Sequence, residues 1–137
     1  MKLHLRSIVL TAGLSALLGS FSLSAQNSQE VANIPFAYSV GQKTLPAGKY
    51  TIQERGAGGL FRLLESASGR SIFALSTPVD TGRKDSKLVF GCYAGECSLS
   101  QIWMQGNVYS LTAKPLPREA KNQIGVVAMV SVPLLSR

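Results

Sequence analysis

From Asn33 onward, short runs rich in β-branched and aromatic side chains alternate with clusters of Gly, Pro, Asn and Asp, the rhythm of an all-β domain. Ile34 to Val40 is the first run and ends at Gly41-Gln42-Lys43. Leu45-Pro46-Ala47-Gly48 then leads into Lys49 to Gln53, where polar and apolar residues alternate, so Tyr50 and Ile52 share one face. Gly56-Ala57-Gly58-Gly59 turns the chain before Leu60 to Glu65. Ala67-Ser68-Gly69 turns it again before Ser71 to Thr77, which predicts consecutive hairpins or a meander. Pro78 to Ser86 has no apolar periodicity and reads as an exposed loop. Lys87 to Tyr93 and Cys97 to Met104 follow as strands about Ala94-Gly95. Val108 to Leu111 is a short strand, Pro115-Leu116-Pro117 interrupts pairing, and Arg118 to Asn122 suits one helical turn. Val126 to Val132 is a continuous apolar run and predicts a buried strand covered on both faces. The expected architecture is a single-domain antiparallel β-sandwich or open barrel of about seven or eight strands.

The amino-terminal segment breaks this rhythm. Lys2 and Arg6 precede an apolar run from Ile8 to Leu18, and small and polar residues follow up to Leu23-Ser24-Ala25. This is the pattern of a secretory signal peptide over residues 1–25, cut before Gln26, with a secreted β-rich domain over residues 26–137. The strongly apolar part is too short for a spanning helix, and no basic flank follows it, so no stable membrane span is expected after cleavage. The predicted location is secreted or periplasmic. Losing Lys2 and Arg6 lowers the formal charge from +7 to +5, and the remaining cations are scattered except for Arg83, Lys84 and Lys87 around Asp85. Nucleic-acid binders concentrate charge on one stripe or helix, so a nucleic-acid partner is not expected.

Candidate chemistry is sparse. The single histidine, His4, lies in the leader, which excludes a Ser-His-Asp arrangement in the mature chain. Glu54 and Glu65 flank the Gly56–Gly59 turn and are the one pair of acids positioned to face each other, though acids beside Arg55 and Arg62 also suit surface ion pairs. A Ser-Lys dyad has no distinguishing signal. Gly56-Ala57-Gly58-Gly59 lacks the following Lys-Ser/Thr and helix of a phosphate loop. Cys92 and Cys97 flank the Ala94-Gly95 turn, where facing strands bring them within reach of a disulfide in an oxidising compartment. A redox role is the alternative for that pair, and a zinc site would be short of ligands. No metal and no cofactor is expected. Trp103 and Tyr109 are the candidate ligand-binding aromatics, set against the plainer reading of core or cross-strand packing.

Taken together, Asn33-Ile34-Pro35-Phe36, Val40-Gly41, Lys43-Thr44-Leu45-Pro46-Ala47-Gly48-Lys49-Tyr50, Lys87-Leu88-Val89-Phe90 and Leu99-Ser100-Gln101-Ile102-Trp103 resemble a family of small exported proteins from soil acidobacteria without an assigned activity. The resemblance implies an exported β-rich domain and transfers no catalytic residue. The cysteines and the apolar stretch from Val126 to Leu135 depart from that family's pattern. The functional expectation is a non-catalytic binding or cell-surface structural module with no catalytic residue, its partner a polysaccharide, a lipid-like ligand or an envelope protein. The alternative is a small secreted enzyme, either a hydrolase or a thiol oxidoreductase.

Overall fold

A computed structural model describes residues 28–56, 58–112 and 127–136. Among these residues the protein is all-β, without a helix, and its strands form one open sheet. The leader, the Pro115-Leu116-Pro117 interruption and the helical turn expected at Arg118 to Asn122 lie outside the described residues. In chain order the strands are β1 (Gln29–Ile34), β2 (Tyr38–Val40), β3 (Lys43–Leu45), β4 (Gly48–Glu54), β5 (Leu60–Glu65) and β6 (Ser71–Thr81). They continue as β7 (Lys87–Tyr93), β8 (Glu96–Met104), β9 (Asn107–Leu111), β10 (Ala128–Pro133) and β11 (Leu135–Ser136). Across the sheet they run β10-β7-β8-β9-β6-β5-β4-β1-β11, with β2 joining β8 in parallel and β3 pairing with β2.

Local chemistry sets the tightest connections. Ala94 and Gly95 have φ of 49° and 80°, and Gln105 and Gly106 have 52° and 80°, so two-residue turns with both central residues left-handed join β7 to β8 and β8 to β9. Such turns match the natural twist of the strands they connect and fix their register. Gly59 has a different role. At φ 83° it lies so close to β6 that an added Cβ would stand 2.6 Å from the Ser76 carbonyl oxygen, while its own carbonyl accepts bonds from the Ser76 amide and hydroxyl.

The structure redraws two expected segments. The loop predicted from Pro78 to Ser86 is strand as far as Thr81, because β6 pairs with β9 through Thr81↔Asn107. A shift of register between Pro78 and Asp80 places a bulge at Val79, and Pro78 tolerates the strand because β5 pairs only with residues 71–75, leaving the other edge of residues 76–81 without a ladder there. The apolar run before Pro133 is covered on one face only. Val130 and Val132 lie opposite Phe90 and Leu88 and point inward, whereas Met129, Ser131 and Pro133 are exposed. Pro35 also splits the first predicted run, separating β1 from β2.

One hydrophobic cluster serves the whole sheet. Ile34, Tyr50, Ile52, Phe61 and Leu63 from β1, β4 and β5 meet Tyr38, Leu88, Phe90, Leu99, Ile102, Met104 and Tyr109 from the other strands. Tyr38 meets Tyr50 and Phe90 edge-to-face, with centroids 5.4 and 5.3 Å apart. The chain passes between the two halves of the sheet at Pro35, within β6 and at Leu134. Leu134 is 6% exposed and joins β10, paired with β7, directly to β11, paired with β1.

Candidate functional site

At one end of the sheet, the β2–β3 hairpin and the β5–β6 hairpin wall a groove of about 520 Å³, the size range of small-ligand sites. Lys43, Thr44, Leu45 and Pro46 form one side; Glu65, Arg70, Ser71 and Ile72 form the other, over Tyr50 and Leu63. Leu45 and Ile72 are half-buried and present apolar surface, and Lys43 and Arg70 are exposed at the rim. The Leu-Pro-Ala-Gly-x-Tyr run of the sequence supplies Leu45 and Pro46 to one wall and Tyr50 to the floor. The Tyr50 hydroxyl donates a 2.6 Å bond back to the Pro46 carbonyl, which fixes the turn entering β4 and holds the ring beneath the groove.

Glu65 stands opposite Tyr50 in the β4–β5 ladder and accepts a 2.7 Å bond from the Ser68 hydroxyl. Burial, followed by the nearby Glu65 charge, pushes the Tyr50 hydroxyl above the usual phenol value. Tyr38 is driven far above it, chiefly by burial and then by Tyr50 beside it. Its hydroxyl is buried and makes no close hydrogen bond, with the Tyr50 hydroxyl beside it as its nearest acceptor. It is a poorly satisfied polar atom inside the core, on a residue paired across the β2–β3 ladder with Leu45.

The aromatics singled out in the sequence do not form one surface. Ile102 pairs with Tyr109 and Trp103 with Val108, so Trp103 and Tyr109 point to opposite faces of the sheet. Tyr109 is 6% exposed, packs edge-to-face on Phe61 at 4.9 Å and donates a 2.9 Å bond to Glu54. Burial and that carboxylate raise its hydroxyl above the ordinary phenol value, and its place is the core. Trp103 is half-buried on the outer face, its indole N–H donating to Gln101 at 2.9 Å. The Lys87 ammonium lies 4.1 Å from its ring centroid and the Arg83 guanidinium 5.6 Å, so cations occupy the ring surface that a sugar would stack on. Arg83 is held there by Asp80 at 2.8 Å. The Thr81 amide and then Arg83 depress that carboxyl below its ordinary value.

Cys92 and Cys97 are paired as a disulfide across the β7–β8 hairpin, at directly opposed positions with Cα atoms 4.0 Å apart. Both are partly buried against the core. Glu54 and Glu65 do not face each other. Glu54 lies opposite Phe61 and Glu65 opposite Tyr50, a separation of four residues along the ladder, or roughly 13 Å. Glycosidase carboxylates sit within about 9.5 Å, so this pair does not have the required geometry. No three His, Cys, Asp or Glu side chains come together as a metal site among the described residues.

The groove itself was not legible in the sequence. It needs the register of three hairpins at once, and the one local signal for it was the Leu45-to-Tyr50 run. Compared with protein-family models, with curated proteins and with solved structures, the chain matches none.

Proposed function

We propose that this protein is an exported, non-catalytic binding module that contacts its ligand through the groove between the β2–β3 and β5–β6 hairpins. The observation that carries the reading is the groove itself: about 520 Å³, with apolar surface from Leu45 and Ile72 and charged groups at its mouth. Three further features support it. The disulfide fits an oxidising compartment, and no helix among the described residues is long and apolar enough to cross a membrane. The resemblance to exported acidobacterial proteins rests partly on Leu45-Pro46-Ala47-Gly48-Lys49-Tyr50, the run that gives the groove one wall and the Tyr50 of its floor. The shared core of the two sheet halves supports a sandwich or partly open barrel, an arrangement whose rims commonly hold ligands.

This reading shifts the expected contact away from Trp103, whose ring face already holds Lys87. Its test is a binding screen of envelope polysaccharides, lipids and envelope proteins with the wild type, Ile72→Arg and Trp103→Ala. Ile72→Arg is expected to abolish binding with a modest fall in the unfolding midpoint, because Ile72 is half-buried against the edge of the core. Loss of binding in Trp103→Ala, with Ile72→Arg unaffected, would reject the groove. The thiol oxidoreductase alternative is checked separately by insulin reduction, where no turnover above background is expected.

A further inference from the structure

Resting on the groove as the binding site, we propose that its ligand is a single-chain anionic amphiphile, an acyl carboxylate whose chain lies between Leu45 and Ile72. The walls and rim differ in chemistry. Leu45 and Ile72 come from opposite walls and offer apolar surface to a slender chain, while the nearly buried Tyr50 and Leu63 close the floor. Lys43 on one wall and Arg70 on the other are both exposed, so a carboxylate at the mouth meets a cation from either side. Glu65 is the one acid of the lining. It is half-buried and already accepts the Ser68 hydroxyl, whereas neither rim cation has an ion-pair partner among the described residues. Charge complementarity at the mouth therefore selects an anion, and the facing Leu45 and Ile72 side chains, set among polar neighbours, select its tail.

The test uses the full mature chain labelled with ¹⁵N and three probes of equal tail length, each below its micellar concentration: dodecanoate, dodecyl maltoside and dodecyltrimethylammonium. Dodecanoate is expected to shift the amides of Thr44, Leu45, Ser71 and Ile72, and to bind at least about fivefold more tightly than the neutral maltoside. A double variant, Lys43→Gln with Arg70→Gln, is expected to remove that advantage while leaving maltoside binding and the unfolding midpoint unchanged. Added salt is expected to weaken dodecanoate alone, since exposed charges are screened. Equal binding of the anionic and neutral probes at the groove overturns the anion proposal and leaves the groove standing. Preference for the ammonium probe does the same and makes Glu65 the selecting group. If no probe shifts the groove amides, the proposal falls together with the groove.

Discussion

Single side chains carry the clearest unmet demands in this fold. The Tyr38 hydroxyl is buried with only the Tyr50 hydroxyl beside it and no close hydrogen bond, and a buried polar group left unsatisfied costs up to about 1–3 kcal/mol. Tyr38→Phe keeps both edge-to-face contacts and removes the poorly satisfied oxygen. We expect it to raise the urea midpoint by the equivalent of about 1 kcal/mol without changing the slope of the transition. Glu30 makes a second demand. One carboxylate oxygen accepts from Ser86 at 3.3 Å and the other is buried without a partner, and burial raises its pKa above 4.5 despite the Ser86 bond. The folded state thus binds this proton more tightly than the unfolded chain. The resulting penalty is absent below 4.5, grows as pH rises through the window up to the folded value, and is complete above it. Glu30→Gln is expected to stabilise the protein at pH 7 and to flatten its stability between pH 4 and 7, as read from denaturant midpoints across roughly that range.

At the level of elements, the turn end of the β7–β8 hairpin was legible, because its Ala94-Gly95 turn and its flanking cysteines agree, whereas the register shift between Val89↔Gln101 and Phe90↔Leu99 has no local signal. Closing this short loop covalently is worth about 2 kcal/mol on the chain-entropy estimate, so Cys92→Ser with Cys97→Ser should lower stability by that amount in thermal or chemical unfolding. The next hairpin was less legible, with a consequence for function. Had Gln105-Gly106 been recognised as a two-residue turn, it would have paired Trp103 with Val108 and shown that Tyr109 faces the other way. The strand at residues 78–81 was hidden for a different reason. Its pairing partner is β9, well downstream in the sequence, and a bulge absorbs the proline that argued for a loop. The apolar run of β10 misled because residue type alone does not reveal which face of a strand is covered; the register with β7 decides that.

For the whole molecule, the all-β class was visible from turn chemistry and β-branched runs, but the way the sheet is joined required pairings such as Val31↔Leu135 that no local pattern announces. Leu134 stands where these long-range pairings converge. It is 6% exposed, and Leu134→Ala is expected to cost about 3 kcal/mol in equilibrium unfolding, a core-sized loss from a residue between two short strands. The same junction makes motion at the two sheet ends interdependent. A fluctuation that frees β10 from β7 pulls on the segment that holds β11 to β1, so both extremities loosen as one cooperative unit. Amide protons of Val31 and Val89 should then exchange with deuterium at matched free energies, and Leu134→Ala should accelerate both together. Independent rates would mean that the two extremities breathe separately.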